Sequence, residues 1–104
     1  MIKINIMYPY SENGTFDMDY YLEKHMGLCK SLMGDALNNY TVDVGTIGIQ
    51  PGPKPAYSVM VNLFFDLPLQ EAMDLFSKNT PAFIADIPKF TNLQPQLQVN
   101  ESKY

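Results

Sequence analysis

A chain of 104 residues leaves room for one domain and one core, taken here as a single domain over residues 1–104, and its 46% hydrophobic and 12% aromatic content is enough to fill that core. Its net charge of -4, with seven lysines and no arginine, lacks the usual tools for phosphate and base-edge recognition, so nucleic acid is not an expected partner. One cysteine, Cys29, and one histidine, His25, leave no internal disulfide and no cysteine- or histidine-rich metal centre.

Residues 2–8 alternate, with Ile2, Ile4, Ile6 and Tyr8 on one face, and predict a first strand. That start lacks the basic, then continuously apolar pattern of a signal peptide. No run approaches the roughly 20 apolar residues that cross a bilayer. A cytoplasmic protein without membrane contact is expected. Residues 9–15, with proline, asparagine and glycine, read as a loop. A helix is predicted over residues 18–33, with Asp17 as N-cap, Phe16 and Tyr21 at the spacing of a hydrophobic staple, and Gly34 ending it.

Residues 39–49 alternate again, with Tyr40, Val42 and Val44 on one side. Residues 57–65 follow, with Tyr57, Val59, Val61, Leu63 and Phe65 in step. The proline-rich turn between them predicts a hairpin. Pro68 opens a second helix to about residue 76, and residues 81–87 read as a separate helical turn ended by Pro88. A last strand over residues 93–100 turns Leu93, Leu97 and Val99 inward and three glutamines outward.

The order strand, helix, strand, strand, helix, strand predicts an α+β fold. It is a ferredoxin-like βαββαβ arrangement, with a four-stranded antiparallel sheet and both helices on one face. The other sheet face is mostly polar, with Met7, Met60 and Phe64 among Lys3, Asn5 and Asn62. Two readings fit it: a solvated face, or a wet sheet-to-sheet contact between two copies, which a domain this small favours.

His25 is the first candidate for chemistry. Tyr21, His25, Leu28 and Leu32 form one helical stripe, beside Leu22, Met26, Cys29 and Met33, so the imidazole lies within the apolar face. An imidazole there can exchange a proton with a bound enol, phenol or carbonyl. The same placement also suits a core histidine satisfied by a tyrosine or a backbone carbonyl. Aromatic side chains with polar tips line small-molecule sites but also fill cores. Tyr8, Tyr21 and Tyr57, with Phe16, Phe83 and Phe90, are the candidate ligand contacts. Asp17 is expected to cap its helix and Asp86 to cap a backbone rather than face a pocket. Without a second histidine as its base, Cys29 is an unpromising nucleophile.

The run Phe16-Asp17-Met18-Asp19-Tyr20-Tyr21, followed by His25, resembles the Phe-Asp-x-x-Tyr-Tyr-x-x-x-His signature of EthD-domain proteins. The run Ala85-Asp86-Ile87-Pro88-Lys89-Phe90-Thr91-Asn92 is similar to that family's second recurring segment. Where the family usually has proline two residues after the histidine, this chain has Gly27. The resemblance implies a dimeric α+β barrel, with two sheets packed face to face and a pocket between helices and sheet in each subunit. It also implies an oxidoreductase- or monooxygenase-like activity on a small apolar or aromatic compound, without a tightly bound cofactor, with His25 in proton transfer. The alternative is a non-catalytic carrier or accessory protein for a hydrophobic metabolite.

Overall fold

The computed structural model describes residues 1–103; Tyr104, the last residue of the expected domain, lies outside them. Four strands form one antiparallel sheet: β1 (Ile2–Pro9), β2 (Leu37–Val44), β3 (Tyr57–Phe65) and β4 (Gln96–Glu101), in the spatial order β2-β3-β1-β4. Helix α1 (residues 18–33) joins β1 to β2, and helix α2 (Leu69–Asp86) joins β3 to β4. The split βαβ order predicted from the pattern is therefore present.

The alternation in β1 and β3 explains the core. Ile4, Tyr8, Val59, Val61, Leu63 and Phe65 are buried on one sheet face, where Met26, Cys29, Met33, Ala72, Phe76 and Phe83 of the two helices meet them. On the opposite face a row of amides crosses all four strands. Asn100 donates to Asn5, Asn5 donates to Asn62, and Asn62 donates to Thr41 at 2.9 Å and to Asp43 at 3.3 Å. Asn5 is buried despite lying on this outer face, because its neighbours in the row cover it.

Several boundaries differ from the alternating pattern. Tyr57 does not continue the inward series of Val59 and Val61. The pairing slips between Tyr8↔Val59 and Pro9↔Tyr57, leaving Ser58 as an extra residue, so Tyr57 shares the outer face with Pro9. Its hydroxyl donates to Gln96, which pairs with Met7 on that same face. The second helix is not broken at Pro81: one α-helix runs from Leu69 to Asp86. Proline deprives one carbonyl of its donor there. In the turn before it, the Asn79 amide and Thr80 hydroxyl donate back to the carbonyls of Leu75 and Phe76, and Phe76, Asn79, Phe83 and Asp86 stay on one buried side. β2 ends at Val44, and β4 begins only after Pro95, which has no N–H for a ladder. Leu93 is buried in the loop ahead of the strand. Gly34 ends α1 at φ +57°, a conformation that favours glycine.

Candidate functional site

The site is assembled by the two ends that precede α1 and follow α2. Asp17 caps α1 by accepting from the Tyr20 N–H at 3.0 Å, while its own N–H donates to the Phe90 carbonyl at 2.7 Å. Phe16 bridges to Thr91, and the Asn92 side chain accepts from the Thr15 N–H. The start of α1 is thus stitched to the 3₁₀ turn Ile87–Lys89 and the loop after it.

Within α1 the hydrogen bonding changes character. Met18–Tyr20 and Met26–Met33 are α-helical, but Tyr21–His25 is a π-helix, in which the Met26 N–H donates to the Tyr21 carbonyl. The wider turn rotates the apolar stripe away from the regular 3.6-residue spacing. Tyr21, His25, Met26, Cys29 and Met33 are buried, whereas Leu22 and Leu32 of the expected stripes are exposed. Tyr21 and His25 stack at 5.0 Å between ring centroids, and Phe90 closes on the imidazole at 4.8 Å.

Asp86 is the partner that the sequence reading did not give to His25. Its Oδ2 accepts from His25 Nδ1 at 2.9 Å, and its Oδ1 accepts from the Tyr20 hydroxyl at 2.8 Å. The expectation that Asp86 caps a backbone is corrected here. Lying on the same side of α2 as Phe83, it meets a side chain of α1 instead, 61 positions away in sequence. An aspartate inside the apolar run Phe83–Ile87 was the available signal.

A carboxylate can only accept, so Nδ1 carries the proton and Nε2 is the nitrogen free to take or give one. Among the described residues Nε2 has no hydrogen-bond partner, yet no buried side-chain nitrogen or oxygen among them lacks one. Nε2 must therefore reach open space, and the space His25 borders is a cavity of about 240 Å³.

Electrostatics separate the groups around this space. Burial pushes the Asp86 carboxyl up. The hydrogen bonds from His25 and Tyr20, and then the charges of His25 and Lys89, outweigh it, so Asp86 titrates below the usual carboxylate value. Burial, then the neighbouring Asp86 charge, pushes the Cys29 thiol up to about 12, which keeps it protonated and poorly nucleophilic. Burial also raises the Tyr8 and Tyr21 phenols, so both remain neutral.

The cavity lies between α2 and the β1–β4 side of the sheet, and is walled mainly by Ile6, Leu63, Phe76, Phe83, Ile87 and Leu97 around Tyr8, His25 and Cys29. Of the expected site residues, His25 and the ligand contacts Tyr8 and Phe83 border it. Phe16, Tyr21 and Phe90 stand behind that wall in an edge-to-face ring cluster with Tyr8. Tyr57 is remote, on the outer sheet face. Among the described residues, no cluster of three or more His, Cys, Asp or Glu side chains could hold a metal, and no helix is long and apolar enough to cross a membrane.

Neither a family model nor a curated protein sequence matches the chain. Solved structures do. The crystal structure of an EthD-like protein from Ralstonia eutropha JMP134 is 34% identical. The match covers 96% of this chain and 89% of that one, with a TM-score of 0.85. This chain belongs to the EthD-like family. A second structure, an ethyl tert-butyl ether degradation (EthD) family protein from Bacillus halodurans C-125, is 20% identical with 98% of both chains covered and a TM-score of 0.61, and shows the shared fold. In this EthD-like chain the two sequence segments that carry the resemblance, residues 16–25 and 85–92, are the two that touch. They supply the Phe16–Thr91 bridge, the Asp17–Phe90 backbone bond and the His25–Asp86 pair.

Proposed function

We propose that this EthD-like protein is a small-molecule enzyme in which His25 transfers a proton to or from a small apolar or aromatic compound held between α2 and the sheet. The observation that carries the reading is the division of labour on one ring. Nδ1 is tied to a carboxylate at 2.9 Å, and Nε2 borders an apolar cavity. A carboxylate behind an imidazole fixes the tautomer and stabilises the imidazolium formed when Nε2 accepts a proton. Apolar walls strengthen that stabilisation, because water does not screen the ion pair.

The oxidoreductase- or monooxygenase-like activity expected from the resemblance connects here. Removing a proton from a phenol or enol yields an electron-rich anion, the form that an external oxidant such as dioxygen oxidises more readily. Cys29 is not a rival for the central role, since its thiol stays protonated.

The working unit proposed is a homodimer in which the outer sheet faces meet. Met7, Met60 and Phe64 would serve as apolar anchors around the Asn100–Asn5–Asn62 row, a polar pattern that suits a hydrated interface.

The test is proton exchange. Enolisable aromatic ketones are incubated with the protein in deuterium oxide, and loss of the signal of the C–H next to the carbonyl is followed by NMR for wild type and His25→Ala. Exchange faster than buffer in wild type and abolished in His25→Ala supports the enzyme. Binding without exchange in either protein assigns the carrier role instead. Equal exchange in both removes His25 from the chemistry.

A further inference from the structure

The cavity has a direction and a size, and together they narrow its occupant. Its most buried polar groups are at the deep end: Tyr8, His25 and Cys29 are 1%, 3% and 3% exposed. Two large apolar residues of the same wall are half exposed, Ile84 at 59% and Leu97 at 49%, with the Gln94 side chain beside them. Exposed branched side chains on a cavity wall mark its mouth, here between α2 and the edge strand β4. A molecule entering that way meets hydrocarbon first and hydrogen-bonding groups last.

The deep end offers one acceptor and one donor. Nε2 of His25 accepts, because Nδ1 holds the proton on the Asp86 side. Tyr8 borders the same end, and burial keeps its phenol protonated, so its hydroxyl has a proton to donate. The Thr80 hydroxyl donates to the Phe76 carbonyl at 2.9 Å, so it has no second proton to give a ligand.

Charge narrows the choice further. Among the described residues, no lysine borders the cavity. Lys89 faces Asp86 at 3.8 Å from the solvent side, with its side chain 66% exposed. A protonated His25 is already balanced by Asp86, so an anionic head would be buried without a counter-charge. Volume completes the description. A ~150 Å³ cavity takes a benzene molecule, so about 240 Å³ holds roughly ten non-hydrogen atoms.

Taking the cavity as the ligand site of the function proposed above, we infer that its occupant is a neutral, single-ring phenol carrying a short apolar substituent, bound hydroxyl inward. The hydroxyl donates to His25 Nε2 and accepts from Tyr8, the ring lies against Leu63, Phe76 and Phe83, and the substituent leaves past Ile84 and Leu97. The head-inward orientation places the acidic proton at His25, the base that the described residues give the wall, and keeps anions out.

Isothermal titration calorimetry with phenol, 4-ethylphenol, 4-propylphenol, propylbenzene and 4-propylbenzoate at pH 8 tests this. Affinity is expected to rise about fourfold per methylene across the phenols, the roughly 0.8 kcal/mol of a buried CH₂. 4-Propylbenzoate and propylbenzene are each expected to bind at least tenfold more weakly than 4-propylphenol. In Ile84→Asn and Leu97→Asn, both surface-exposed positions, the 4-propylphenol to phenol affinity ratio should fall at least threefold. In His25→Phe the preference for 4-propylphenol over propylbenzene should disappear. Tight benzoate binding, a flat phenol series, mouth variants that leave the ratio intact, or no binding of any phenol each overturn the assignment. Binding that follows the expected pattern while proton exchange fails would leave this ligand class standing and remove only the catalytic role of His25.

Discussion

Asp86 gives the sharpest quantitative handle on the site. Replacing it with leucine leaves the His25 Nδ1–H without an acceptor at a position where the imidazole side chain is only 4% exposed. A hydrogen bond to a charged group is worth about 1.5–3 kcal/mol. The Tyr20 hydroxyl, on a half-buried side chain, can turn to water and adds little. A loss of about 2–3 kcal/mol is expected for Asp86→Leu, or roughly 10–20 °C in Tm for a chain of this length. His25→Phe should cost a comparable ~2 kcal/mol, because the carboxylate keeps only Tyr20 and the exposed Lys89. The double variant removes both polar groups, so its loss should stay near that of one single variant, a coupling of about 2 kcal/mol. Urea denaturation of the four proteins, with m-values checked for constancy, measures the cycle. The pH dependence has a defined sign. The Asp86 carboxyl titrates lower when folded than when unfolded. Its contribution is therefore complete above the unfolded value of about 3.9 and is lost as pH falls through the folded one. The advantage of wild type over Asp86→Leu should shrink steadily as pH falls below 4. Losses that add to within ~0.5 kcal/mol, or an advantage that does not shrink below pH 4, would refute the pair as a charge-assisted unit.

Three other outcomes are expected. Cys29, with its thiol held up to about 12 by burial and the Asp86 charge, should react with iodoacetamide at pH 8 at least 100-fold more slowly in the native protein than in urea, as read by mass spectrometry. Phe90→Ala removes a 3% exposed ring that touches Tyr8, Phe16, Tyr20, Tyr21 and His25, and should cost about 3–5 kcal/mol in denaturant titrations. Met60→Asp places a charge on the outer sheet face opposite Met7. Light scattering at micromolar concentration should show a two-subunit mass for wild type and a one-subunit mass for the variant; one subunit for wild type would remove the dimer.

Much of this protein is written locally. The twofold alternation of Ile2, Ile4 and Ile6 and of Val59, Val61 and Leu63 determines two central strands and the face they bury, because successive side chains in a strand point opposite ways. Asp17 ahead of an apolar helical run starts α1, Gly34 ends it, and the position of His25 on the apolar side follows from helical spacing. Three things were not local. Tyr57 left the inward series because a bulge, set by how β3 pairs with β1, reversed its face. Pro81 failed to stop α2 because buried packing on both sides of it outweighs one missing hydrogen bond. Above all, Asp86 became the partner of His25 only when the loop after α2 was bonded to the start of α1, through Asp17–Phe90 and Phe16–Thr91. A sequence specifies which side chains an element can turn inward. Which of them meet, 61 positions apart, is decided by how the elements pack, and the chemistry of His25 depends on that packing.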